Sequence, residues 1–139
     1  MMDAMFLKRI ESVIKSQKFM QHLGAEIVAV EAGKVSLELK YDERWSQQKG
    51  SFDEGVVGVL ANHAAGLAAA TTMQDGRGCQ VAEYKLNLLT QAKGDKLVAE
   101  GRVIKSGRNL VIAETDVYIF DQGKRVNCAL LLATLVAVS

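Results

Sequence analysis

Apolar residues recur in two different rhythms along this chain, and a third stretch breaks both. From Met1 to Met20 they fall at Met2, Phe6, Ile10, Val13 and Ile14 with charges between them, the spacing of one helix face. Leu23, Ala25, Ile27 and Ala29 recur every second residue. After an Ala32-Gly33 turn, Val35, Leu37 and Leu39 do the same, which predicts a hairpin. Tyr41 to Lys49 is polar around Trp45 and predicts a loop. No charge occurs from Val56 to Thr72, and in the middle of that run only Asn62 and His63 carry polar side chains. A helix apolar all round must be enclosed by the rest of the protein or by a membrane. At 17 residues with two polar groups near its centre, the segment is a poor bilayer span. It predicts a central helix over 56–72 that the remaining chain wraps.

A turn at Gln74 to Gly78 follows, then four alternating stretches: 79–89, 96–105, 110–120 and 125–138. In the first, Ala82, Tyr84, Leu86 and Leu88 share a face, and Glu83, Lys85 and Asn87 take the other. Short turns around Gly94, Gly107 and Gly123 predict an antiparallel meander. The last stretch is apolar on both faces, so a second subunit is expected to cover its outer side. The pattern reads as an α+β chain: one domain over 1–139, an N-terminal helix over 1–20, and a curved antiparallel sheet of about six strands around the central helix.

Composition narrows the function classes. The 17 basic and 16 acidic residues nearly cancel and form no basic run, which argues against nucleic acid as a partner. Cys79 and Cys128 have neither a disulfide framework nor metal-ligand spacing, so buried reduced thiols are expected. The N-terminal stretch lacks the apolar core of a signal peptide, and the apolar tail from Cys128 to Val138 is too short to cross a bilayer. A cytoplasmic protein without membrane attachment is the expectation. His22 has no second ligand at metal spacing, and neither metal nor cofactor is implied. Proline is absent, so turns fall to Gly, Asp, Asn and Ser.

Candidate chemistry concentrates where the loop Gly50-Ser-Phe-Asp-Glu-Gly55 enters the central helix. Asp53 and Glu54 stand at its mouth, where a carboxylate serves either as general base or as helix N-cap. The backbone N–H groups of Gly55 and Val56 are unpaired by helix geometry and sit at the positive end of the dipole. Asn62 lies one turn from Gly58 and one from Gly66, a row of small residues that leaves room for a ligand or for close packing. His63 falls on the apolar row of Val59 and Leu67 and reads as a core or interface histidine. Glu83, beside Lys85 and Asn87, reads as part of a solvated face.

Several short pieces carry a family likeness in their order and spacing. They are His22-Leu-Gly24, Gln47-Gln-Lys-Gly50, Gly55 to Ala61, Ala64 to Ala70, Glu83 to Leu89, Gly94 to Gly101, Gly107-Arg-Asn-Leu110, and the closing run with Ala133-Thr134. From about Met20 to Ala137 the chain resembles the PaaI-like acyl-CoA thioesterases, which have the hot-dog fold. The resemblance implies a homodimer or homotetramer that cleaves acyl-CoA to free acid and CoA at sites shared between subunits. It implies a helix-mouth motif of His-Gly-Gly type whose N–H groups polarise the thioester carbonyl. It also implies an acid on the helix nine positions after that His, and an amide on the approach loop.

This chain keeps the amide at Gln47 and the last glycine at Gly55. The His slot falls on Asp53, the first glycine slot on Glu54, and the acid slot on Asn62. Asparagine is neither a nucleophile nor a useful base. The expectation is therefore that Asp53 or Glu54 serves as general base while Asn62 orients the water. The family also has Glu at the slot of Glu83, which implies a supporting role near the site. Arg102 and Arg108, with Lys105, would meet the phosphates of CoA. The alternative is a catalytically degenerate acyl-CoA or acyl-ligand binding protein, and a third possibility is a structural protein that kept only the dimer.

Overall fold

The long apolar segment forms α3 (Glu54–Ala70), and ten of its residues are buried on every side of it. It starts two residues earlier than the sequence pattern suggests, because Asp53 caps it. The computed structural model describes residues 2–74 and 77–138; Asp75 and Gly76, the tip of the expected turn after this helix, lie outside them.

A six-stranded antiparallel sheet, in the order β1-β2-β6-β7-β8-β5, curves around α3. Its strands are β1 (Glu26–Glu31), β2 (Lys34–Lys40), β5 (Gly78–Leu88), β6 (Lys96–Ser106), β7 (Leu110–Asp121) and β8 (Lys124–Val138). Two short strands, β3 (Ser46–Gln48) and β4 (Ser51–Phe52), pair with each other in the loop before α3.

The expected meander holds for β6, β7 and β8, which are joined by hairpins. It fails for β5, which pairs with β8 and not with β6. The turn around Gly94 is a crossing and not a hairpin. Three strand spacings separate β5 from β6, about 14 Å, and the link between them is tied down on the way. The N–H of Leu89 donates to the Cys128 carbonyl, and the Ala92 carbonyl accepts from the N–H of Phe52.

The N-terminal region also departs from the single helix expected over 1–20. It divides into α1 (Ala4–Ser16) and α2 (Lys18–Leu23), with Gln17 extended between them at φ −104° and ψ 94°. Local polar side chains compete for the helical carbonyls there. Ser16 Oγ donates to the Val13 carbonyl, and Gln21 Nε2 donates to that of Lys15. At Gly24 the chain takes φ +77°, the left-handed turn that closes α2.

Small side chains on the inner face of the sheet let α3 come close. Ala99, Ala113 and Ala133 are all buried under it. At Gly101 a Cβ would lie 2.3 Å from the Ala64 carbonyl oxygen, so the helix rests on strand backbone there. Next to it on β7, the buried Thr115 hydroxyl donates to the Ala61 carbonyl at 2.8 Å. These two contacts fix the height and rotation of α3 at Ala61, immediately before Asn62.

The strand β5 is a sheet edge. A bulge between Val81 and Glu83 takes Ala82 off the face expected from alternation, while Tyr84, Leu86 and Leu88 keep theirs. Tyr84 is 46% and Leu88 45% exposed, and Leu130 and Leu132 on the outer face of β8 are also exposed. No helix among the described residues is long and apolar enough to cross a membrane.

Candidate active site

The loop into α3 is held from both sides. Gly50, at φ +87°, receives a hydrogen bond from Gly94 N–H on its carbonyl and donates its own N–H to the Tyr41 hydroxyl. The N–H of Asp53 donates to the Trp45 carbonyl at 2.7 Å. These ties set where the helix begins.

Asp53 is the N-cap. Its Oδ2 accepts the Gly55 N–H at 2.9 Å, and its carbonyl accepts from Val56 and Val57 at 3.0 and 3.1 Å. Gly55 has its own packing reason to lack a side chain, since a Cβ would stand 2.9 Å from that carboxylate oxygen. The Gly55 and Val56 donors expected to be free are thus both engaged by Asp53. The N–H of Glu54, the first residue of the helix, makes no hydrogen bond among the described residues.

Glu54 and Gln47 come together. Both line a cavity of about 230 Å³ with Thr90, Gln91 and Cys128. Burial pushes the Cys128 thiol up to about 11, so it stays a neutral thiol rather than a nucleophile. Glu54 is exposed and makes no side-chain hydrogen bond or ion pair among the described residues.

Asn62 lies elsewhere. It faces a second cavity, about 290 Å³, formed by α3, β5 and the α1–α2 joint. The two cavities share no lining residue. Eight residues of helix separate Glu54 from Asn62, a rise of about 12 Å. Asn62 Oδ1 is buried without a hydrogen-bond partner. His63 lines the same cavity, half-buried, with its pKa lowered by desolvation. It is therefore a neutral imidazole beside Asn62 and not a remote core residue.

The remaining expected residues divide. Gly66 lines the Asn62 cavity, and a Cβ there would only touch Leu135 at 3.8 Å. Gly58 serves close packing: its Cβ would stand 3.1 Å from Leu86 Cδ2. Glu83 Oε2 accepts the N–H of Thr134 at 3.2 Å, a backbone donor beside the bulge. Arg102 sits four residues inside the end of β6, on the sheet face away from α3. Its guanidinium pairs with Glu114 and with Asp116. It does not join Arg108, which lies in the exposed turn after β6 and accepts on its carbonyl a hydrogen bond from Arg77.

Gln17, Cys79 and Gln80 also line the Asn62 cavity. The sequence places Gln17 on the apolar face of the N-terminal helix, four residues after Val13, but a single Gln near a helix end gave no reason to single it out.

Residues 54–126, more than half the chain, match the sequence profile of the thioesterase superfamily. The chain belongs to the thioesterase superfamily. Its architecture, a long buried helix in a curved antiparallel sheet, is the hot-dog fold. A solved thioesterase family protein from Silicibacter pomeroyi matches it with a TM-score of 0.93 at 31% identity, over 96% of this chain and 98% of that one. The 1,4-dihydroxy-2-naphthoyl-CoA hydrolase of Listeria monocytogenes is 30% identical over 106 residues, covering 76% of this chain and 85% of the relative. The PaaI protein of E. coli shares the fold, with a TM-score of 0.84 at 16% identity over 96% of this chain and 94% of that one. Within that scaffold, this chain carries Asp53 as the cap of α3, Glu54 with no side-chain partner among the described residues, and Asn62 with a buried, unpartnered Oδ1.

Proposed function

We propose that the protein hydrolyses acyl-CoA thioesters at a site assembled between two copies of the chain, with Glu54 as general base. The observation that carries this reading is the division of polar groups. Glu54 and Gln47 share one cavity, and Asn62 with its unpartnered oxygen lines another about 12 Å along the helix. Within one chain the two sets line separate cavities, and in this reading a two-fold related copy brings its Asn62 to the Glu54 of the other. The β5 edge, eleven residues long with exposed apolar side chains, is a surface a second copy would cover.

In the proposed reaction the thioester carbonyl lies at the mouth of α3, polarised by the Glu54 N–H and the positive end of the helix. Gln47 holds the carbonyl or the water. Asn62 Oδ1 of the other copy accepts one hydrogen of the attacking water and Glu54 takes its other proton. The tetrahedral oxyanion collapses, the C–S bond breaks, and Glu54 returns its proton to the CoA thiolate. Asp53 keeps the helix mouth rigid. Arg108, unlike Arg102, has no carboxylate partner among the described residues and remains available to CoA phosphate.

One observation favours a binding protein instead: among the described residues, no carboxylate lines the Asn62 cavity. Turnover of an acyl-CoA panel, followed as free thiol, separates the two. Release above the buffer rate, reduced about 100-fold or more in Glu54→Gln, supports the hydrolase. Tight binding with no release from any acyl-CoA supports the binding protein.

A further inference from the structure

The Asn62 cavity holds a second orphaned amide. Gln17, at the joint between α1 and α2, lines the same cavity, and its Oε1 is buried with no hydrogen-bond partner among the described residues. A buried acceptor without a donor is costly, so two in one cavity call for a donor that arrives with a ligand. Asn62 Oδ1 is answered by the attacking water in the reaction proposed above. Gln17 Oε1 is not.

The rest of the wall narrows the chemistry. Val13, Leu67, Ala70, Val81 and Leu135 make it largely apolar, and among the described residues no Asp, Glu, Lys or Arg lines it. A charged ligand group would lose its hydration there without a counter-charge. A neutral donor, a hydroxyl or an amide N–H, fits. The volume of about 290 Å³ is roughly twice that of a cavity that holds benzene. That is room for a ring-sized acyl group.

We infer that Gln17 is a specificity-determining residue, its Oε1 accepting a hydrogen bond from a neutral donor, most simply a hydroxyl, on a compact acyl group. This rests on the hydrolase reading above, with the acyl group entering the cavity beside the water that Asn62 holds. Gln17 follows Val13 by four residues, so it continues the face of α1 that looks into this cavity, and Val13 lines the cavity with it. A site built to satisfy a buried acceptor discriminates strongly against a ligand that lacks the donor.

The test compares cyclohexanecarbonyl-CoA with its 3- and 4-hydroxy derivatives, each as cis and trans isomers, and with the 4-methyl derivative as a size control. Both kcat/KM and calorimetric Kd are measured. In the wild type, at least one hydroxylated isomer is expected to be preferred about tenfold or more over the plain and methyl compounds. Gln17→Leu and, as a second variant, Gln17→Met are expected to bring that ratio close to one. A merely structural role would lower all substrates together and leave the ratio intact. Preference in Kd without turnover of any compound keeps this inference and removes the hydrolase reading. Turnover with no preference, or a preference that survives in both variants, overturns the inference and leaves the hydrolase reading standing. Neither binding nor turnover overturns both.

Discussion

The side chain of Thr115 in β7 donates to the carbonyl of Ala61 in α3 at 2.8 Å, one residue before Asn62. It ties the middle of the sheet to α3 next to the buried Oδ1 of Asn62, which the proposed reaction uses. The carbonyl keeps its helical partner when the hydroxyl is removed. Thr115→Val is therefore expected to cost about 1 kcal/mol, roughly 3 to 5 °C in Tm. Thermal unfolding followed by circular dichroism measures this, and an unchanged Tm would show that packing alone places the helix.

Gly101 makes the complementary contact. A Cβ there would enter the Ala64 carbonyl at 2.3 Å, and backbone cannot yield as a side-chain tip does. Gly101→Ala should cost about 3 kcal/mol or leave no folded protein. Gly78→Ala, where a Cβ meets only Val138 Cγ2 at 3.7 Å, should move stability by less than about 1 kcal/mol. Denaturant unfolding of both variants reads the difference. Equal effects would contradict the close approach.

Much of this framework is legible in the sequence. The charge-free run around Asn62 announces a buried helix, and clean alternation announces most of the sheet. Three features are not. Gly94 looks like a hairpin turn, yet the chain crosses the sheet there, because pairing between distant strands leaves no local trace. Gly101 and Thr115 look like ordinary strand residues until the helix is laid on them. Gln17 falls on the apolar face of the N-terminal helix, but nothing local shows that the helix breaks there or that a cavity lies beside it. The helix mouth was half legible. Asp53 and Glu54 stood out together, but only the 2.9 Å bond to Gly55 assigns Asp53 to the cap and leaves Glu54 free.

That division of labour separates two variants. Asp53→Ala removes a cap and is expected to cost about 1 kcal/mol of stability. Glu54→Gln, on an exposed and unpaired side chain, should leave Tm nearly unchanged while thioester turnover falls about 100-fold or more. Melting curves and thiol-release rates on both variants decide it. The opposite pattern would make Asp53 the base.

His63 gives the fold a pH dependence. Burial lowers its pKa below the ordinary value of 6.5, so the unfolded chain takes up a proton before the folded chain does. Its contribution to stability is complete above the unfolded pKa and is lost as pH falls through 6.5 toward the lower folded value. The expected result is a Tm that declines between about pH 7.5 and 5.5 in the wild type and declines less in His63→Gln. Identical profiles would mean that the imidazole is solvated.

Asn62→Asp places a carboxylate at the helix slot where related thioesterases are expected to have one. With Glu54 as base, a second negative charge beside the attacking water should reduce turnover by about tenfold or more. A large gain would show that the natural chain lacks its base and would favour the binding reading.

Subunit mixing tests the shared site most directly. Glu54→Gln and Asn62→Ala chains, each with low thiol release alone, are unfolded together and refolded as a mixture. If each site takes Glu54 from one copy and Asn62 from the other, every hybrid dimer regains one intact site, and the mixture recovers about a quarter of wild-type activity. Recovery no greater than the sum of the two separate variants would contradict a site shared between two chains.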